Sequence, residues 1–398
     1  MKHIAVIGAG QAGATLVETL RKSGFAGRLT LWGAEDALPY QRPPLSKAYL
    51  LGEMTRDRLH LRPQSFYDDH DVELHLGTRI AELDTEAKTL NHAGGTETFD
   101  AAILATGSTP HTLPDRCTGG LPGTHVIRTL ADIDRLRPQM IPGKRMLVVG
   151  GGYIGLEAAA VARKIGLDVT LVELNTRILG RVACAPTADW FRHLHREHGV
   201  DIREGVGLDT LLGEDRIEVA RLTDGTEIPA DIVIAGIGAY PETSLANAAG
   251  LTLDNGIAVD AQGRTSAPCI WAAGDCCSFP VGDLRIRLES VPNAIDMAEV
   301  VARNLLGAGE DYHPKPWFWS DQYDVKLQIA GLNTGFDNIV VRDGDGRSHW
   351  YFQGDTLLAV DAMNAPRDYM VGKRLIEAGR SPDRTAVADP DVPIKSLM

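Results

Sequence analysis

Two glycine clusters hold the residues whose spacing points most directly to chemistry. The first, Gly8-Ala9-Gly10-Gln11-Ala12-Gly13, follows the apolar run from Ile4 and precedes a segment with helical apolar periodicity up to Leu20. In such a turn Gly8 permits the sharp bend, Gly10 lets backbone approach a pyrophosphate, and Gly13 packs helix on strand, while the helix N-terminus offers amides to the phosphates. An expected strand, Arg28 to Trp32, ends at Gly33-Ala34-Glu35, where Glu35 is the carboxylate available to a ribose. The second cluster, Gly150-Gly151-Gly152-Tyr153-Ile154-Gly155, repeats the pattern, with the strand Val169 to Val172 ending in Glu173. A carboxylate there accepts from both ribose hydroxyls of NADH and repels the 2′-phosphate of NADPH, so NADH is the expected substrate; Arg177 and Arg181, a few residues on, are the cations that would argue the other way.

Two dinucleotide cradles in one chain imply hydride transfer between a nicotinamide and a second redox cofactor, FAD. The nicotinamide C4 must then come within roughly 3–3.5 Å of the flavin N5, and no protein nucleophile is required. A third segment, PYQRPPLSKAYL from Pro39 to Leu50, uses prolines to fix the places of Arg42, Ser46 and Lys47. A cation on such a loop can stabilise a reduced, anionic flavin.

The elements that must position these residues are strand–turn–helix units. Phe99 to Pro110, with Ala105-Thr106-Gly107, and Ala230 to Pro241, with Gly236-Ile237-Gly238, each read as a buried strand ending in a glycine turn and a proline. Cys269 to Phe279, with Gly274-Asp275, reads as a further strand where the first fold resumes after the second is complete. The expected class is α/β: two Rossmann-like nucleotide-binding domains of glutathione-reductase type, one inserted in the other, plus an α+β C-terminal domain beginning near Tyr312. The last residues, Ser381 to Met398, carry little periodicity and are expected to be a loosely packed tail.

At 398 residues the chain calls for two or three domains. Its net charge of −13 argues against a nucleic-acid partner. The cysteines, Cys117, Cys184, Cys269, Cys276 and Cys277, lack the spacing of a disulfide framework or an iron–sulfur site, so any such cluster must belong to a partner. His193, His195 and His198 read as a polar helix surface rather than a metal site. Neither a signal peptide nor a membrane-spanning run is expected, which points to the cytoplasm.

PYQRPPLSKAYL, GGGYIGLEAA, ADIVIAGIG, GDCC, RLESVPNA and PWFWSDQYDVKLQIAG occur in order along nearly the whole chain and together resemble the NADH-dependent ferredoxin reductases of bacterial oxygenase systems. The resemblance implies an FAD domain at 1–109 and 240–314, an NAD domain at 110–239 and a C-terminal interface domain at 315–398. It implies FAD contacts from Ala12, Lys47, Ile80, Arg128, Asp275 and Val291. Glu157 would meet the nicotinamide carboxamide, with Lys47 as an ion-pair partner, Tyr153 would cover the flavin, and Trp319 would lie near it on the partner side. The implied partner is a separate [2Fe-2S] ferredoxin serving a cytochrome P450 or a Rieske oxygenase, docked transiently on cations such as Arg62 and Lys326. Ala34 departs from the family, which often has Asp there, and leaves the ribose to Glu35. Two rival readings are transfer to rubredoxin and an NADH-sensing flavoprotein like the apoptosis-inducing factor.

Overall fold

The computed structural model describes residues 1–344 and 346–398. Along the chain, β1 (His3–Ile7) runs into α1 (Gln11–Lys22), then come β2 (Arg28–Trp32), β3 (Val72–His75) and β4 (Ala101–Leu104). The repeat of this pattern comprises β5 (Thr124–His125), β6 (Arg145–Val149), α2 (Tyr153–Ile165), β7 (Asp168–Glu173), α3 (Ala185–Glu197), β8 (Asp201–Glu204) and β9 (Ile232–Ala235). The chain then forms β10 (Ile270–Ala272) and α4 (Val291–Leu305), and closes with β11 (Trp317–Gln322), β12 (Val325–Gly331), β13 (Asn338–Asp343), β14 (Arg347–Gln353), β15 (Thr356–Met363) and α5 (Pro366–Glu377).

These elements fall into two compact units. The first holds Met1–Gln41, Arg56–Thr109 and Ala239–Pro316. Its main sheet is parallel in the order β10-β4-β1-β2-β3. Every residue of β1 is buried, the continuous apolar strand expected of a sheet covered on both faces. The return of β10 to pair with β4 places Gly274 and Asp275 in the first fold, on the far side of the sequence from Gly8.

The second unit holds Arg42–Thr55, Pro110–Gly238 and Trp317–Met398. Its parallel sheet has the order β8-β7-β6-β9-β5, and the closing strands form an antiparallel sheet, β11-β12-β15-β14-β13. β11 packs on α2, which brings the aromatic run Trp317-Phe318-Trp319 and Ser320 to the helix that follows the second glycine turn. The short proline segment 42–55 also packs on α2 within this unit.

The expectation of a loose C-terminal tail is corrected. Residues Arg384–Ala388 form a helical turn, and Val387 and Leu397 are buried in the core with Trp350, Phe352 and Val371. The buried guanidinium of Arg342 donates to the carbonyls of Val387, Asp389 and Val392 at 3.0, 2.6 and 2.7 Å. Backbone acceptors, invisible to side-chain periodicity, hold this segment.

Candidate active site

The first glycine turn is dictated by close backbone approach. Gly8 has φ +120°, and a Cβ there would lie 2.1 Å from the Ala105 carbonyl oxygen; a Cβ on Gly13 would lie 1.9 Å from the Gly8 oxygen. Gly10 faces open space instead, with nothing within 4 Å, and it caps α1 with no side chain bonded to the first-turn amides. Room and unsatisfied donors therefore coincide at one helix N-terminus. Around it, Gly274 (φ +84°) sits against Ala12, while Ala12, Ile80 and Ala105 share one buried core. Thr106 donates to the Glu242 carbonyl at 2.6 Å and Gly107 accepts from the Glu242 amide at 2.9 Å. The Asp275 carboxylate accepts from Ser108 at 3.3 Å, and Val291 begins α4 behind the cap Ser290. Glu35 accepts from the Tyr40 hydroxyl at 2.6 Å, an orienting contact that sequence spacing did not disclose.

The second turn repeats the geometry. A Cβ on Gly150 (φ +107°) would meet the Gly236 oxygen at 2.3 Å, and one on Gly155 the Gly150 oxygen at 2.1 Å, while Gly152 caps α2 in open space without a side-chain cap. Gly238 (φ +95°) lies near the exposed Arg181, and Ile154 is exposed on the first turn of α2. Ile237 packs against the core formed by Leu147, Val172 and Val233. Glu173 accepts from the Gly151 amide at 2.7 Å and, through its other oxygen, from the Asn175 amide and side chain at 2.8 and 2.6 Å. Arg177 is spent on its own loop, donating to the Ala183 carbonyl at 2.8 Å.

Two residues into α2 from Gly155, Glu157 is only 2 % exposed and gathers three partners. The Lys47 ammonium lies 2.6 Å from its Oε2, Ser46 donates to the same oxygen at 2.5 Å, and Ser320 of β11 donates to Oε1 at 2.6 Å. Prolines at 43 and 44 preset a 3-10 turn, Pro43–Ser46, that buries Leu45 and points Ser46 and Lys47 at the helix. Burying a carboxylate is tolerable because it is paired and its lone pairs are taken.

Tyr153 stands one turn earlier, its ring 4.9 Å from Phe318 and its hydroxyl buried without a partner among the described residues, and burial pushes its pKa well up. An orphaned phenol marks a side chain whose present contacts are incomplete. Trp319 is half-buried, with its ring stacked toward Trp317 at 5.5 Å. Arg42 donates to the Arg128 carbonyl at 2.6 Å; both belong, with Lys47, to the second unit. Arg62, in the first unit, is ion-paired with Glu18 at 2.7 Å, whereas Lys326 is exposed on β12. The reading of His195 as polar surface is corrected: α3 turns it inward beside Phe191 and Leu194, fully buried and bonded to Gln322.

Comparison with known families decides what these two cradles belong to. The family described as pyridine nucleotide-disulphide oxidoreductase matches residues 2–298, and the reductase C-terminal family matches residues 317–398. The chain is 42 % identical to a ferredoxin–NAD(P)+ reductase of a Sphingomonas species, covering 99 % of this chain and 97 % of that one. It is 39 % identical to putidaredoxin reductase of Pseudomonas putida, covering 100 % and 96 %. This chain belongs to the pyridine nucleotide-disulphide oxidoreductase family, among its ferredoxin reductases. A solved covalent complex of putidaredoxin reductase with putidaredoxin matches the fold with a TM-score of 0.96 at 38 % identity, over 100 % of this chain and 98 % of that one.

In the reductase the two turns suit the dinucleotides of such an enzyme. Each offers an N-cap glycine in open space and uncapped first-turn amides, the donor set a pyrophosphate takes. Ser320 and Gln322 were beyond sequence reasoning because they act on Glu157 and His195, 163 and 127 positions away, whereas Asn175 and Tyr40 lie close in sequence to the acids they hold but carry no spacing that marks the contact. No described helix is long and apolar enough to cross a membrane.

Proposed function

We propose that the reductase takes a hydride from NADH onto FAD and hands electrons singly to a separate [2Fe-2S] ferredoxin that serves a cytochrome P450 or a Rieske oxygenase. FAD supplies the conversion between two-electron and one-electron chemistry. The observation that carries this reading is the pair of matching glycine-capped helix N-termini, α1 and α2, each on its own parallel sheet. The names of the relatives support the partner: they include putidaredoxin reductase, rhodocoxin reductase and the reductase components of dioxygenase systems. They also favour a ferredoxin over rubredoxin as the acceptor.

In this reading residues 1–109 and 240–314 form the FAD domain, 110–239 the NAD domain and 315–398 the interface domain. Gly8, Gly10, Ala12 and Gly13 cradle the FAD pyrophosphate, Glu35 orients its ribose, and Asp275 accepts from its ribityl chain. Ile80, Ala105, Thr106, Gly107, Gly274, Val291, Arg42 and Arg128 complete the FAD contacts. Gly150, Gly152, Ile154 and Gly155 cradle NADH, Glu173 selects it over NADPH, and Arg181, Gly236, Ile237 and Gly238 border that site. Glu157 orients the nicotinamide carboxamide, Lys47 holds the adjoining positive charge, Tyr153 yields its place to the nicotinamide, and Trp319 borders the route to the ferredoxin. Lys326 is the stronger docking candidate, since Arg62 already has Glu18 as its counter-charge. A cytoplasmic location follows from the soluble electron-transfer role. Cytochrome c reduction by NADH, assayed with and without purified [2Fe-2S] ferredoxins, tests the proposal: dependence on a ferredoxin is expected, and equal rates without one would overturn it.

A further inference from the structure

Glu157 is the end of a line of buried polar side chains. Ser320 donates to Glu157 Oε1 at 2.6 Å, and Gln322 Nε2 donates to Ser320 Oγ at 3.1 Å. His195 Nε2 lies 2.8 Å from Gln322 Oε1, and the Tyr323 hydroxyl lies 3.2 Å from His195 Nδ1. Ser320, Gln322 and His195 are all fully buried.

The chemistry of the groups fixes the direction of every bond. The Glu157 carboxylate, facing the Lys47 ammonium, accepts the single proton of Ser320, whose oxygen must then accept from the amide nitrogen of Gln322. The Gln322 oxygen therefore faces His195, Nε2 carries the ring proton, and Nδ1 is left to accept from Tyr323. Each member donates toward the carboxylate. Tyr323 reaches His195 from the tight turn between β11 and β12 with φ +56°, a conformation costly for an aromatic residue and usual for Gly, Asn or Asp. His198 stacks on its ring at 3.7 Å.

We propose that His195 is a positioning residue: through Gln322 and Ser320 it keeps the Glu157 carboxylate turned toward Lys47, and so sets the rate of hydride transfer. This rests on the NADH-to-FAD reading above. Burial lowers the His195 pKa to about 4, which keeps the ring neutral and the donor line intact at neutral pH. The titratable and charged groups around the line are Lys47 at Glu157, and His198, Tyr323 and Arg163 toward His195.

Nitrogen NMR of the His195 ring in the FAD-loaded enzyme, assigned by its loss in His195→Gln, tests the line without turnover. The Nε2–H tautomer is expected, unchanged from about pH 5 to 8; an Nδ1–H tautomer, or titration in that range, overturns the proposal. Anaerobic stopped flow tests the role. His195→Phe is expected to slow flavin reduction about tenfold and add an acid limb to its pH profile, with NADH affinity little changed. His195→Gln, which retains a terminal N–H donor, is expected to recover most of the rate. An unaltered rate and pH profile in His195→Phe, or a His195→Gln as slow as His195→Phe, overturns the role. If His195→Phe does not fold, the wild-type tautomer still tests the line, and a His195→Gln that loses most of the rate still overturns the role. Failure of NADH to reduce the wild-type flavin overturns the underlying reading instead, whatever the tautomer.

Discussion

The two glycine turns share their backbone and differ in what their helices carry. At the register positions of Tyr153 and Glu157 on α2, α1 has Gln11 and Thr15. Thr15 belongs to a helix packed along α4, whereas Glu157 is buried with Lys47, Ser46 and Ser320. The carboxylates that follow the second strand of each fold differ too: Glu35 accepts from Tyr40, and Glu173 from its own glycine turn and Asn175. On the proposed reading, one turn retains a cofactor and the other brings a mobile one to a charged pair.

The largest effect expected on this comparison is from glycine substitution. Gly8→Ala and Gly155→Ala each force a Cβ to within 2.1 Å of a backbone oxygen. Gly8→Ala should cost about 2 kcal/mol or more and leave the purified protein without FAD. Gly155→Ala should retain flavin colour and lose NADH binding, measured by titration; the reverse pattern would exchange the roles of the two turns. Next is the charged pair. Lys47→Met leaves Glu157 buried without its cation and should slow flavin reduction by NADH about a hundredfold in stopped flow, while Thr15→Ala changes it little. Equal effects would erase the distinction drawn between the helices.

A smaller effect is expected from the acids. Glu173→Ala should lower the kcat/KM preference for NADH over NADPH about tenfold, and Glu35→Ala should leave that ratio unchanged. The smallest concerns pH and stability. Burial depresses His195 and His349 from 6.5 to about 4, so both are neutral when folded and protonate on unfolding below 6.5. Their contribution is present above pH 6.5 and is lost as pH falls toward 4. Asp361 acts in the opposite direction, since burial raises it from 3.8 to about 6 and its contribution fades as pH rises through that value. Two histidines against one aspartate predict a Tm that falls between pH 6.5 and 4, with a shallower slope in His195→Phe.

The cradles were legible in the sequence because glycine is the only residue that tolerates a carbonyl oxygen 2 Å from where its Cβ would be, so chemistry and spacing coincide there. The proline segment was legible for the same reason, as backbone restriction written into residue type. The acceptors and donors around Glu157 were not: Ser320 is 163 positions away, and nothing local distinguishes it from a surface serine. His195 reads as surface because its helix and the residue that caps it carry three histidines, two exposed, and only β11 and the Tyr323 turn make an inward-facing one satisfiable. The tail was misread because Arg342 holds it by backbone carbonyls.

On the proposed reading, one polypeptide joins a retained flavin to a selected nicotinamide through the Lys47–Glu157 pair. Anaerobic titration of the FAD-loaded enzyme with NADH, followed by flavin absorbance, tests it most directly. Bleaching complete at one NADH per flavin, fast in the wild type and slow in Lys47→Met, is the predicted result; a flavin that keeps its colour in excess NADH, or bleaches as fast in the variant, would contradict it.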